Sequence, residues 1–411
     1  MFTSFSTALS ALSAHSTAVD VVGNNLANMN TPGFKASTVS FHDLVTQSLG
    51  AGLGETQVGF GVGRPVTLRQ FSQGAIQTSP GPLDAAIQGD GFLVVKDSAG
   101  QTLYTRGGNL QVDKSGLLLT ATGERLQGWT EVNGVLNTNG AIGDIVVPVG
   151  TVRAPLASTE FSFDMNLNAA AATGDTFQAS IEVFDSLGAS HVITVTFTKT
   201  ATANQWNYSI SVPAADTTAP TPPVTGTLTF NSQGKLTNPP AAGPMPSINI
   251  TGFVNGAANM TLTWQLYDKS TPRLTQYTQP SAISANAQDG SPAAQLIRVG
   301  LADGGRVLAQ YSNGQQQVVG QLAMASIRNP ESLIAVGNNN YQLSARSALP
   351  AIGLPGTGGR GTILGGAVEF SNVDIAREFT QLIVLQRGYQ ANAKVVAVVD
   401  DLSQETINLK R

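Results

Sequence analysis

The three histidines of this chain are its best candidates for acid–base or metal chemistry, and they lie far apart in the sequence. Neither His15 nor His42 nor His191 has a second histidine or a carboxylate at a metal-ligand spacing such as four residues along a helix. The chain has no cysteine, and no Gly-x-Ser-x-Gly motif is present to anchor a serine triad. The sequence therefore predicts structural histidines, no catalytic residues, no metal, no cofactor and no enzymatic activity.

Two further patterns resemble ligand-binding loops without meeting their chemical requirements. The twelve residues from Asp113 to Glu124 have an acid at each end, as in an EF-hand loop. However, Leu117 and Leu118 occupy the positions that need an oxygen ligand and a glycine, so a hairpin turn is the better interpretation. The glycine-rich segment 356–366 is not followed by the Gly-Lys-Ser/Thr sequence that would hold a phosphate.

Exposed aromatic side chains could form a sugar-binding platform, and Trp206, Tyr208 and Trp264 are the candidates. Trp206 and Tyr208 alternate with polar residues, as does Trp264 with its neighbours, and this period of two favours positions in a β-sheet core. A secreted carbohydrate-binding β protein remains an alternative, which glycan binding by residues 150–285 would support.

The composition limits the classes of partner. The 411 residues are enough for two or three domains, and 41% hydrophobic residues give each of them a core. A formal net charge of -4 argues against nucleic-acid binding, and no apolar run reaches the ~18 residues that a membrane-spanning helix needs. No Lys or Arg precedes Lys35, so we expect no secretory signal peptide. Cytoplasmic residence and export with an uncleaved terminus both remain open.

The elements with the clearest spacing are two helices at the ends of the chain. Apolar or small residues recur at steps of three and four, which is the spacing of a seam that faces another helix. The predicted assembly residues are Phe5, Leu9, Leu12, Val19 and Leu26 in the first helix and Phe379, Leu382, Tyr389, Val395, Val399, Leu402 and Leu409 in the second. Asp20 is the only charged residue before Lys35, which indicates burial among neighbouring copies.

The ends of these helices also have sequence signals. We expect the first helix to fail near Asn24–Asn28 and to end by Thr31-Pro32-Gly33. The second helix is predicted to start at Ser371-Asn372-Val373-Asp374 with a capping box, and Gly388 is a weak point within it.

Between the helices the pattern is that of strands and turns. Residues 34–80 are expected to be extended, and residues 81–147 form a meander of short strands. From 150 to 285 apolar and polar residues alternate, which predicts an antiparallel sandwich or barrel. The segment 353–366 is predicted to be a flexible passage to the last helix. The predicted fold is mainly β with α-helical termini.

Several motifs resemble those of the flagellar rod and hook protein family. The N-terminal signature is Ser10-Ala11-Leu12-Ser13-Ala14 and then Asn24-Asn25-Leu26-Ala27-Asn28-Met29-Asn30-Thr31-Pro32-Gly33-Phe34-Lys35. Residues 88–94, 104–109, 371–374 and 386–393 are similar to further parts of the family. Gly388 departs from the pattern, where a larger polar residue is common, and this puts the rigidity of the helix in doubt. The insert that contains residues 181–188 is similar to the central domain of the hook members.

The resemblance implies a discontinuous architecture of nested domains. The implied domains are a terminal helical core (1–33 and 372–411, coiled-coil-like), an extended linker (34–80), an inner β domain (81–149 and 286–371) and an outer inserted β domain (150–285). Many copies would assemble into a curved, flexible tube that transmits torque from the motor rod to the filament.

The resemblance also implies the partners and the location. We expect a helical homo-oligomer outside the cell, in contact with the rod, the hook cap and the hook–filament junction proteins. We expect delivery by the flagellar export apparatus, without a cleaved signal peptide. A distal rod-type axial protein, which would assemble into a straight and rigid polymer, is the main alternative.

Overall fold

A computed structural model describes residues 2–44, 46–48, 57–132 and 135–408. Within them, α1 (Phe2–Ala27) and α2 (Ile375–Asn408) are the two terminal helices. The first helix ends at Ala27, inside the predicted segment Asn24–Asn28, because asparagine competes with the helix for backbone hydrogen bonds. No helix among the described residues has a stretch long and apolar enough to span a membrane.

The chain divides into two compact units, residues 1–149, 298–310 and 316–411 in the first and residues 150–297 and 311–315 in the second. The four-part domain division stays a prediction. The strands up to residue 149 are β1 (Ser37–Ser40), β2 (Thr46–Ser48), β3 (Gln57–Gly59), β4 (Val66–Arg69), β5 (Ile76–Thr78), β6 (Ala85–Gln88), β7 (Phe92–Lys96), β8 (Thr102–Thr105), β9 (Leu110–Val112), β10 (Leu118–Thr120), β11 (Arg125–Val132), β12 (Val135–Leu136) and β13 (Gly143–Asp144).

The remaining strands begin with those of the second unit. They are β14 (Val152–Arg153), β15 (Glu160–Asn168), β16 (Thr176–Phe184), β17 (Ser190–Lys199), β18 (Gln205–Ser211), β19 (Val224–Phe230), β20 (Leu236–Asn238), β21 (Ser247–Ile250), β22 (Met260–Trp264), β23 (Tyr267–Asp268), β24 (Thr271–Pro272), β25 (Leu274–Tyr277) and β26 (Ala282–Gln288). After them come β27 (Ala294–Ala302), β28 (Arg306–Tyr311), β29 (Gln316–Leu322), β30 (Met324–Ser326), a 3-10 turn (Pro330–Ser332), β31 (Ile334–Gly337), β32 (Asn340–Gln342), β33 (Ala351–Gly353), β34 (Thr362–Gly365) and β35 (Ala367–Glu369).

The first unit is built on an antiparallel sheet in the order β28-β29-β11-β7-β8-β32-β31. The predicted short strands are confirmed as β7, β8, β9 and β10, but they do not form one continuous meander, because β8 pairs with β7 and β32 whereas β9 pairs with β10. The segment 353–366, predicted to be a flexible passage, instead contains β34, which pairs with β6, and β35 follows it and pairs with β5. Backbone pairing therefore returns the chain to the base of α2.

The second unit is a sandwich of two sheets, β16-β17-β18-β19-β20 and β21-β22-β15-β25 with β26 beside β15. Trp206, Tyr208 and Trp264 are buried in the core between them, so the sugar-platform hypothesis is wrong. One sheet is not fully antiparallel, because β15 pairs in parallel with β22 and β25. Parallel neighbours need a long connection, and the strands of the other sheet supply it.

Candidate assembly surface of the terminal helices

A stripe of small residues forms the buried face of α1. Ala8, Ala14, Ala18 and Val22 are each at most 4% exposed, and we call these four residues the small-residue stripe. They recur near the three- and four-residue steps that bring side chains onto one face of a helix. Short side chains let a second helix approach closely, and α1 packs along α2.

Two contacts fix how α2 lies against α1. The Asn25 amide Nδ2 donates to Glu378 Oε2 at 3.2 Å, and both residues are buried. At Gly388 the partner is His15, whose Cε1 would lie 2.8 Å from a Cβ placed on the glycine. Ten positions separate the two contacts on each helix, and they run in opposite directions, so the pair is antiparallel. The helix is unbroken at Gly388, contrary to the expected weakness.

The large apolar residues predicted to form the seam lie beside this interface. Those more than a third exposed are Phe5, Leu9, Phe379, Tyr389, Val395 and Leu402, which we call the outer rows. Leu12, Val19, Leu26, Leu382 and Val399 are partly covered, and Leu409 lies outside the described residues. The spacing was therefore informative, but the face that joins the two helices of one chain is the neighbouring one. The assembly role of these residues stays a prediction.

An apolar groove of about 260 Å³ opens between the helices and β1. Its walls include Val21, Val22, Val39, Val384 and Leu385. The groove and the outer rows together make an apolar surface that the described chain itself does not cover.

The motif from Asn24 to Phe34 forms the base of the helix pair. Besides its bond to Glu378, the Asn25 amide donates to the Ser37 carbonyl at 2.8 Å and accepts from the Ser37 N–H at 2.9 Å. Gly33 has a φ of +73°, and its N–H donates to the Glu369 carbonyl at 2.8 Å. A Cβ at Gly33 would lie 2.8 Å from the backbone of Arg106, which explains the need for glycine.

The remaining motif residues support this turn. The Thr31 hydroxyl donates to Asn28 Oδ1 at 3.1 Å, and the Asn28 amide donates to the Asn24 carbonyl at 3.0 Å. The Pro32 carbonyl accepts from Asn339 at 3.0 Å, and Phe34 is buried. Leu26 is partly covered and Ala27 closes the helix with an exposed side chain. The motif thus shapes the exit of α1 and forms no ligand pocket.

A buried ionic junction of Lys35, Arg106 and Glu369 lies directly after the motif. Lys35 Nζ is 2.6 Å from Glu369 Oε1, and Arg106 Nη1 is 3.3 Å from Oε2. Burial lowers the pKa of Lys35, and the charge of Arg106 lowers it further, although Glu369 acts against both. Lys35 also donates to the Ser72 carbonyl at 2.7 Å, and Arg106 donates to the Gly89 carbonyl at 2.8 Å. One carboxylate therefore holds together segments that lie far apart in the sequence.

The start of α2 differs from the predicted capping box. Asp374 is the N-cap, since its Oδ1 accepts from the N–H groups of Ala376 at 2.9 Å and Arg377 at 3.2 Å. Ser371 lies before the cap and accepts from Val373 at 3.3 Å instead. The Asn372 side chain accepts from the Ala36 N–H and donates to the Gln70 carbonyl. Ala36 directly precedes β1 and Gln70 directly follows β4, so the helix start is connected to this strand pair.

Sequence reasoning missed Glu369 and Glu378, which are the polar anchors of the helix pair. The available signal for Glu369 was a single acid among apolar residues in β35, where burial would require a cationic partner. Lys35 was visible in the N-terminal motif, but nothing in the sequence alone indicated that the two would meet.

In the second unit, His191 lies between two carboxylates. Its Nε2 is 3.0 Å from Asp185 Oδ2, and its Nδ1 is 3.0 Å from Asp216 Oδ2. Burial alone would lower the pKa of His191, but the hydrogen bond to Asp185 and the nearby carboxylate of Asp216 outweigh it and raise the pKa. Burial would raise the pKa of Asp185, and bonds from His191, Asn255 and two backbone N–H groups lower it. Within the described residues, no group of three or more acids and histidines is placed to hold a metal ion.

Comparison with known families covers most of the chain. The family described as "Flagellar basal body protein FlaE D2 domain" matches residues 151–291, and "Flagellar hook protein FlgE/F/G D1 domain" matches residues 86–159. "Flagella basal body rod protein" matches residues 5–35, and "Flagellar basal body rod FlgEFG protein C-terminal" matches residues 364–409.

Full-length relatives agree with these matches. The chain is 32% identical to the flagellar hook protein FlgE of Escherichia coli, over 99% of this chain and 100% of the relative. It is 31% identical to that of Treponema pallidum over the full length of both, and 33% identical to that of Salmonella typhimurium over 99% and 100%. The structure of Helicobacter pylori flagellar hook protein FlgE2 has a TM-score of 0.53 at 13% identity, with 70% of this chain and 99% of that chain covered. That likeness supports the fold.

Proposed function

Because the chain belongs to the flagellar hook protein FlgE family, we propose that it is a structural subunit of the bacterial flagellar hook. In this proposal many copies assemble into a curved, flexible tube that transmits torque from the motor rod to the filament. The observation that carries the assembly step is the apolar surface left uncovered on α1 and α2.

The physical argument rests on area and charge. Tyr389 is 45% exposed and Phe379 is 52% exposed, and burying such side chains contributes about 25 cal/mol per Å² of apolar surface. The face of α1 beside them has Asp20 as its only charged side chain, so like copies meet little repulsion there. A second copy supplies a surface of the same kind and would cover both helices.

The partners and the location follow from this function. We propose contacts with the rod, the hook cap and the hook–filament junction proteins at the ends of the tube. We propose export through the flagellar apparatus without cleavage, a location outside the cell and no catalytic activity. The intact mass of the subunit in isolated hooks tests the export without cleavage, since a shortened N-terminus would contradict it.

Deleting residues 1–30 or 373–411 tests the role of the termini, with polymer yield from purified chain as the measurement. A sharper test is Phe379→Asp, which places a charge in the outer rows. We expect it to abolish polymer at concentrations where the unmodified chain assembles. Gln390→Asp is the matched control, because Gln390 is exposed on the same helix but is not apolar. Equal polymer from all of these variants would refute the assembly surface.

The shape of the polymer separates the hook from a rod-type axial protein. Electron microscopy of polymer grown from the pure chain should show curved tubes. Straight, rigid tubes would favour the rod-type alternative.

A further inference from the structure

The small-residue stripe of α1 cannot by itself define how far the two helices slide past each other. Alanines recur along it at 8, 14 and 18, so a shift of one turn would place a similar surface against α2. Such a shift would cost little packing. Yet a chain whose two ends pair must do so in one register if every copy is to present the same outer surface.

His15 and Gly388 supply a contact that is not repeated. Gly388 is the only glycine in α2, and the imidazole of His15 lies so close that a Cβ on Gly388 would be 2.8 Å from its Cε1. The ring is also held from the side, since its centroid lies 5.6 Å from that of Phe41. The Asn392 amide donates to the Gly388 carbonyl at 2.8 Å, which keeps that turn of α2 closed.

We propose that His15 and Gly388 act as a knob and a hole that set the register of the two terminal helices of one chain. A slip of one turn would place the imidazole against Leu385 or Asn392, neither of which leaves room for a ring. The bond from Asn25 to Glu378 lies ten residues away, about 15 Å along each helix, and belongs to the same register. Both residues are positioning residues for assembly, and this inference rests on the proposed hook function.

The first test uses a substitution that normally stabilises a helix but should weaken assembly here. In an ordinary helix Gly→Ala favours the helical state. At Gly388 the added methyl group would collide with the His15 ring, so Gly388→Ala should raise the critical concentration for polymerisation at least fivefold. The double variant His15→Ala/Gly388→Ala removes the collision but also the knob, so it should assemble better than Gly388→Ala without returning to the level of the unmodified chain. Gly23→Ala is the matched control in α1, since its Cβ would meet nothing within 4 Å in the subunit.

The second test reads the register directly in the full chain, which has no cysteine of its own. Ala18→Cys is combined with Leu385→Cys for the observed register, or with Gln381→Cys for a one-turn slip. We expect the yield of disulfide on oxidation to be at least fivefold higher for the first pair than for the second. The product should run at monomer mass on a denaturing gel, because the cross-link lies within one chain. Gly388→Ala should reduce that ratio, and the added His15→Ala should leave it reduced, because no knob remains to select one register.

The outcomes are distinct. Unchanged or improved assembly and an unchanged cross-linking ratio in Gly388→Ala would overturn the inference, as would cross-links at dimer mass. If the unmodified chain forms no polymer, the hook function fails instead, and the cross-linking ratio still decides whether His15 and Gly388 set the register.

Discussion

The sandwich of the second unit and the terminal helix pair solve the same burial problem to different extents. In the sandwich, Phe163 and Trp264 are 0% exposed and pack between two sheets. In the helix pair, Phe379 and Leu402 are about half exposed, at 52% and 49%. One region has enough surface of its own to cover its apolar residues, whereas the other has only a second helix. The difference supports the proposal that neighbouring copies complete the helix pair.

The polar groups follow the same division. The Asp185–His191 pair lies within the second unit and joins loops of that unit only. The Lys35–Glu369–Arg106 junction instead joins the exit of α1, the first sheet and the approach to α2. The helix pair is thus fixed at its base, and the apolar surface above it is exposed.

The largest expected effect is in the sandwich core. Trp264→Ala should lower the free energy of unfolding of the second unit by about 4 kcal/mol, because a large buried side chain is replaced by a cavity. Phe379→Ala should change the unfolding of the free subunit by less than about 0.5 kcal/mol, because its ring is already half in solvent. Urea unfolding of both variants measures the contrast. A similar loss in both would show that the free subunit already covers Phe379.

The next effect is at the ionic junction. Glu369→Gln keeps the shape of the side chain but leaves Lys35 and Arg106 buried without a counter-charge. We expect the first unit to lose about 3 kcal/mol of stability, measured by urea unfolding. Glu331→Gln is the control, since Glu331 is exposed and should give a change near zero. Stability equal to that of the control would mean that the junction does not hold the base of the helices.

The sequence predicted the elements that follow a local pattern. Period two located the strands of the sandwich, and the three- and four-residue steps located both helices. The buried face of α1 was not predicted, because it consists mostly of small alanines, whereas the predicted seam consists of large apolar residues. A contact such as Ala18 against a neighbouring helix depends on how closely two backbones approach, which no spacing within one helix reveals.

The polar anchors were also beyond the sequence, for a related reason. Glu369 is 334 residues from Lys35, and Glu378 is 353 residues from Asn25. Each residue looks ordinary in its own segment, and its role depends on the partner that the fold brings to it. Hydrophobic periodicity has no information on such pairs.

A smaller effect is the pH dependence of the second unit. The pKa of His191 is raised in the folded state by Asp185 and Asp216, and the ring of Phe253 covers it. The stabilisation is therefore complete below the unfolded pKa of about 6.5 and is lost as pH rises through the higher folded pKa. We expect a decline of at most about 1.4 kcal/mol per pH unit in that window, followed by tryptophan fluorescence in urea. His191→Gln should remove the slope, and the exposed His42→Gln should retain it.

The smallest effect tests whether a loss of helix stability weakens the polymer or the free chain. Asp374→Ala removes the two N-cap bonds of α2 and should cost about 1 kcal/mol, whereas Asp374→Asn keeps an acceptor and should cost little. Because neighbouring copies are proposed to complete the helices, we expect the loss as a roughly fivefold rise in critical concentration. Urea unfolding of the free chain should change much less. If the loss appeared fully in the free chain instead, α2 would already be stable before assembly. The helix pair and the sandwich would then differ only in how much apolar surface they expose.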